Sequence, residues 1–132
     1  TIVAMGGIFD AALCSSNDLL FLRAIFNQPL LPDDPLALSN SFVEYYDSYR
    51  SKAAATTRGA LGHVAGDILH FFHGKCEFRQ HEQQRLLLRK FDYSPQQHLR
   101  ICASGAYGWS ETAPAALITG FRKIMTDRMR TP

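Results

Sequence analysis

Four side chains able to hold a metal ion or move a proton fall close together in this sequence: His70, His73, Cys76 and His81. Imidazole and thiolate are soft or borderline ligands that suit zinc. The spacing His70-x-x-His73-x-x-Cys76-x4-His81 matches no zinc-finger pattern. If residues 68 to 73 form a strand, His70 and His73 point to opposite faces, so one ion cannot take both without a bulge. His73 closes the apolar run Asp67-Ile68-Leu69-His70-Phe71-Phe72-His73-Gly74, and a buried strand that ends this way delivers a side chain to a site. A neutral imidazole there can complete a divalent-metal shell made mostly of carboxylates. The plainer alternative is a satisfied, partly buried histidine.

The elements that would carry these residues follow from pattern. Ile2-Val3-Ala4 reads as a short strand and Gly6-Gly7 as a turn or close approach. Ser15-Ser16-Asn17-Asp18 is a run of N-cap residues ahead of a mostly buried helix, Leu19 to Phe26. Pro29, Pro32, Asp33-Asp34 and Pro35 then make an exposed connection of low flexibility. Ser41 and Glu44 have capping-box spacing. Phe42, Tyr45, Tyr46 and Tyr49 form a helical stripe, read as an aromatic core face whose hydroxyls reach the rim, with a sugar or base platform as the functional alternative. Ala53 to Gly62 reads as loop, His63 to Phe72 as a central strand, and Glu77 to Lys90 as a helix. Leu99 to Cys102 and Ala106 to Trp109 flank Ser104-Gly105 as a small hairpin. Pro114 opens a last helix with Leu117, Phe121, Ile124 and Met125 on its apolar face, and Trp109 is expected to pack on that helix near Leu117 or Phe121.

At 132 residues and 46% hydrophobic, the chain fits one domain with an ordinary core. The net charge of +2 is small and its Lys and Arg are scattered, which argues against nucleic acid or a membrane surface as partner. No apolar run spans a bilayer. Cys14, Cys76 and Cys102 are odd in number and far apart, which fits reduced thiols in a cytoplasmic compartment. The first residue, Thr1, fits a chain processed or cut from something longer.

The order of motifs adds to this reading. Gly7-x-Phe9-Asp10-x-Ala12-x4-Asn17-Asp18, then Gly66-x-Ile68-x-His70-x-x-His73-Gly74-x4-Arg79, then Phe91-Asp92-x6-Leu99 and Gly105-x-x-x-Trp109 resembles the C-terminal half of bacterial and phage glycosyltransferase-like proteins of the GT-A superfamily. The resemblance runs over residues 6 to 125. It implies sugar transfer from a nucleotide-sugar donor to a carbohydrate acceptor. By position Asp18 is the catalytic acidic residue beside the acceptor, His73 the metal histidine for manganese or magnesium, and Arg79 with Asn17 the substrate-binding residues. Asn17 stands where the family usually has glycine, and His81 and Gln84 replace the expected aromatic and arginine.

No Asp-x-Asp occurs in these residues, so the carboxylates that hold a hard cation against a diphosphate are not among them. The expectation is a single α/β domain over 1 to 132, a small central sheet flanked by helices, resembling the C-terminal part of a GT-A fold and carrying acceptor-side and metal-completing residues. Two other readings stay open: a non-enzymatic interaction module that kept the fold, and a small zinc protein using His70, His73, Cys76 and His81.

Overall fold

A computed structural model describes residues 2–13, 16–62, 65–66 and 80–130 of the chain. In chain order the elements are α1 (Ile2–Met5), α2 (Asn17–Ile25), α3 (Asn40–Thr57), α4 (His81–Lys90), α5 (Pro95–His98), β1 (Leu99–Ile101), β2 (Tyr107–Trp109) and α6 (Ala115–Arg130). Helices dominate, with one small antiparallel sheet of two strands among the described residues. Of the expected central strand at 63–72, only Ala65 and Gly66 are described, and neither is in a strand.

The long helix α3 organises the rest. Its stripe of Phe42, Tyr45, Tyr46 and Tyr49 faces inward as the spacing predicts, with Phe42 and Tyr46 fully buried and Tyr45 and Tyr49 half-buried against the core. Phe9 inserts into this stripe, its ring 5.1–6.0 Å from all four ring centres. Aromatic pairs in edge-on and tilted contact add to the large apolar area that such rings remove from water. The hydroxyls escape to backbone carbonyls: Tyr46 donates to Gln28 O at 2.9 Å and Tyr49 to Gly7 O at 3.0 Å. Burial pushes the Tyr46 phenol up to about 12, the positive charges of Arg23 and Arg50 opposing the shift.

Local reading fails at both ends of this unit. The cap of α3 is Ser39, whose Oγ accepts the Phe42 N–H at 2.9 Å, and not the Ser41 of the expected capping box. At its far end the helix continues through Ala53 to Thr57, where a loop is expected, because three alanines are strong helix formers and Ala53 is buried. It stops at Arg58, which is left-handed with φ 51°. Ile2–Met5 is a helical turn rather than a strand, and it packs on α3 through the buried Met5. Gly6 and Gly7 then reverse the chain at φ 90° and 99°, values that side-chain-bearing residues rarely adopt.

Helix α2 starts within the predicted cap run but is buried on one face only. Leu20, Ala24 and Ile25 are buried, and α2 packs on α3, while Leu19, Leu22 and Phe26 are 44%, 43% and 52% exposed. The proline-rich connection that follows is stapled from two sides. Arg23 pairs with Asp34, whose other oxygen accepts the Leu36 N–H at 2.9 Å. From α4, Arg89 donates to Ala37 O at 3.1 Å and Pro35 O at 2.6 Å. Burial alone would raise the Asp34 carboxyl; the Leu36 N–H, the Arg23 hydrogen bond and the charges of Arg23 and Arg89 outweigh it and hold the group below the usual carboxylate range.

The C-terminal part matches the sequence pattern closely. The hairpin pairs Leu99 with Trp109 and Ile101 with Tyr107. Gly108 is required by contact, since a Cβ there would lie 2.6 Å from Cys102 Sγ. Helix α6 buries Leu117 and packs along α4, and Trp109 meets Phe121 edge to face at 5.6 Å, as expected for the only tryptophan. Tyr93, fully buried, ties this part to the N-terminal segment by donating to Ala11 O at 2.7 Å.

His98 closes α5 and supplies a pH-dependent contact. Its Nδ1 accepts the buried Ser94 N–H at 3.2 Å, which only the neutral ring can do. Burial holds its pKa below the ordinary 6.5, with the Asp92 charge opposing. The folded state therefore binds fewer protons than the unfolded one, so stability is full above about pH 6.5 and is lost as pH falls through that value. The melting temperature is expected to drop between about pH 7.5 and pH 5.5, and to drop less in His98→Leu. An identical slope in that variant would show that His98 is not the group responsible.

Candidate functional site

Burying Phe9 decides where its neighbour goes. Phe9 is 2% exposed and Asp10 is exposed, so the backbone after Gly6-Gly7 sends one side chain into α3 and the next outward. Asp10, Tyr45 from α3 and Tyr107 from β2 lie close enough for Tyr45 and the Asp10 carboxylate to act on the Tyr107 phenol. The Tyr107 residue is 40% exposed. Burial, first, and then Tyr45 and the Asp10 charge push its phenol well above the usual tyrosine range. Tyr49 is raised as well, by burial and by the same carboxylate, against a hydrogen bond from the Phe9 backbone.

Two small grooves are lined by residues of this region. One, of about 220 Å³, is lined by Leu13, Leu99, Tyr107, Gly108, Trp109 and Phe121. The other, of about 200 Å³, is lined by Met5, Gly6, Tyr45, Ser48, Tyr49 and Lys52. Tyr45 lines the second and Tyr107 the first. An aromatic wall beside a few convergent polar groups is the ordinary make-up of a small-molecule site. A larger cavity, about 390 Å³, lies under the proline-rich connection beside Arg89 and Asp34, but those two charges are already engaged in holding the connection.

Of the residues singled out from sequence, Asn17 and Asp18 are described and adjoin at the start of α2. Asp18 is exposed in the first turn of α2, and its Oδ1 accepts the N–H of its own neighbour Leu19 at 2.9 Å, so its described contacts are those of a carboxylate complementing the helix dipole. Asn17 is half-buried, its Oδ1 buried without a hydrogen-bond partner. His73 and Arg79, like His70 and Cys76, lie outside the described residues. Arg85 forms an ion pair with Glu82 on the face of α4. Among the described residues, no three His, Cys, Asp or Glu side chains converge to hold a metal ion. None of the described helices is long and apolar enough to cross a membrane.

Sequence reasoning passed over Asp10, Tyr45 and Tyr107 as site residues. The sequence holds only the apolar-to-charged step Phe9-Asp10, two residues after Gly6-Gly7, and nothing local joins it to Tyr45 or Tyr107. Comparison with protein-family models, with curated proteins and with solved structures gives no significant match.

The cluster makes a spectroscopic prediction. In a carbon-detected NMR titration of labelled tyrosine, Tyr107 is expected to ionise above the usual tyrosine value of about 10. Asp10→Asn should bring it down, because the negative charge that disfavours the phenolate is gone. A Tyr107 that titrates normally, or identically in both proteins, would remove Asp10 from the cluster.

Proposed function

We propose that the chain is a glycosyltransferase-like domain that supplies acceptor-side residues for transfer of a sugar from a nucleotide-sugar donor to a carbohydrate acceptor. One observation carries this reading: segments that bear the resemblance, far apart in sequence, converge on one surface. Leu13 comes from the first, Leu99 from the third, and Tyr107 and Trp109 from the last, and all four line one groove. Convergence on a groove is what a shared binding task requires, and simple core packing would not need to expose a carboxylate there.

Transfer breaks the bond between the anomeric carbon and the diphosphate oxygen and forms one to an acceptor oxygen, whose proton must go to a base. Asp10 is an exposed carboxylate of the segment that supplies Leu13 to the groove, its charge acts on Tyr107, and it is the residue assigned to meet the acceptor; Asp18, the residue aligned by position, hydrogen-bonds within its own helix. The divalent cation that the resemblance implies, manganese or magnesium, finds no ligand set among the described residues, and His73 alone could not replace the carboxylates a hard ion prefers. Donor binding by these residues is therefore expected to be weak.

A second reading, an interaction module without activity, is favoured by the exposed stripe Leu19, Leu22 and Phe26 on α2. Release of nucleoside diphosphate distinguishes the two. With manganese and a panel of uridine and guanosine diphosphate sugars, the protein expressed from its complete reading frame is expected to release diphosphate faster when a saccharide acceptor is added. Asp10→Asn should lower that stimulation by about a hundredfold, in the range for losing a positioned base. No release with any donor would favour the interaction module. Tight, metal-dependent donor binding by the 132-residue chain alone, measured by calorimetry, would contradict the acceptor-side assignment.

A further inference from the structure

Arg58 ends α3 in the left-handed conformation at φ 51°, and Gly59 follows at φ 71°. From Arg58 to Gly62 the chain is exposed without a break. Its hydrogen bonds are local: the Gly59 N–H donates to Thr57 Oγ1 at 3.4 Å and the Ala60 N–H to Thr57 O at 2.9 Å. Among the described residues, no hydrogen bond ties this segment to any element other than α3. Of the described lysines and arginines, Arg58 alone lies outside a helix or strand. An endoprotease takes its substrate in extended form, so it reaches a bond in proportion to how readily the backbone around that bond opens. A helical arginine becomes accessible only after a stretch of helix has come apart, whereas the Arg58–Gly59 bond needs only a local turn to open.

We propose that the Arg58–Gly59 bond is a processing site for an arginine-directed endoprotease, and that the cut protein stays folded as two associated chains, 1–58 and 59–132. Water is the co-substrate. The peptide C–N bond breaks, the Arg58 carbonyl carbon takes the hydroxyl, and the Gly59 nitrogen takes the hydrogen and then the acid proton, leaving a carboxylate and a new amino terminus. The contacts that cross the cut are those of the core. Tyr93, fully buried, donates its hydroxyl to Ala11 O at 2.7 Å and stacks its ring 6.3 Å from that of Phe42. Ser39 donates to the Tyr93 carbonyl, and Arg89 to Ala37 O at 3.1 Å and Pro35 O at 2.6 Å. Leu88, Leu99 and Leu117 share one buried cluster with Leu20, Phe42 and Tyr46. Separating the chains would return these apolar surfaces to water, which holds them together without the covalent link.

The folded 132-residue protein is treated with a trace of trypsin, and the products are followed by intact mass. Expected as the first products are residues 1–58 and 59–132, formed faster than cleavage at the arginines of α4, β1 and α6 by on the order of a hundredfold. The two chains should elute together at the position of the uncut protein on native gel filtration, with the near-ultraviolet circular dichroism retained, and separately in concentrated urea. In Arg58→Asn the first cut should vanish while the melting temperature is kept, because asparagine tolerates the left-handed conformation. Tyr93→Phe removes the hydroxyl that reaches Ala11 across the cut, and the dissociation constant of its nicked form should rise by about tenfold, the loss that one hydrogen bond accounts for.

A first cut at any other bond, or one that persists unchanged in Arg58→Asn, overturns the site. Chains that elute apart after the cut, or that lose the near-ultraviolet signal, overturn the two-chain fold. An unchanged dissociation constant in nicked Tyr93→Phe would show that the chains are not held by the contacts named here.

Discussion

The burial of Phe9 in the aromatic face of α3 is the contact on which the rest of the described structure depends. One ring touches Phe42, Tyr45, Tyr46 and Tyr49 and fixes the N-terminal segment against the longest helix. Large aromatic side chains remove much apolar surface from water, and emptying such a site leaves a cavity that neighbouring rings fill poorly. The turn at Gly6-Gly7 brings Phe9 to this place, and Tyr49 locks the turn through the Gly7 carbonyl. Asp10 then has one direction left, outward, and it meets the hairpin there. Packing thus fixes the electrostatics of the surface without any contribution from an ion pair.

Charged and polar residues divide along lines that composition does not reveal. Arg23, Asp34 and Arg89 look like chemistry in the sequence, yet they hold the proline-rich connection to α2 and α4. The Arg89 guanidinium takes backbone carbonyls that would otherwise be left to solvent or unmet near the core, a structural use that suits its fixed fork of donors. Tyr45 and Tyr107 look like core residues, yet each lines a groove, Tyr45 beside Lys52 and Tyr107 beside Trp109. A half-buried tyrosine can do both, because its ring packs while its hydroxyl stays available.

Much of the scaffold was legible because it depends on local period. The stripe on α3, the hairpin around Ser104-Gly105, the apolar face of α6 and the packing of Trp109 on Phe121 follow from spacing and side-chain size alone. The ends of elements were less legible. Ser39 and Ser41 are equally good caps by type, and the choice is made by tertiary contact, since Ser39 also donates to the Tyr93 carbonyl. Ile2–Met5 has strand-like composition but packs on α3 as a helical turn. Asp10 could not be read as a site residue, because its partners come from α3 and β2 and only the folded chain brings them together. His73 and Arg79 carried the metal and phosphate expectations and lie outside the described residues.

That the N-terminal segment and the hairpin are joined at Asp10 and Tyr107 is most directly measured by a double-mutant cycle on unfolding free energy. The cycle compares Asp10→Asn, Tyr107→Phe and the double variant with the unmodified chain under denaturant. Expected is a coupling of about 0.5–1.5 kcal/mol, the usual net worth of a hydrogen bond, with the double variant losing less than the sum of the singles. Strict additivity of the two single losses would contradict the contact, and with it the claim that burying Phe9 builds the site.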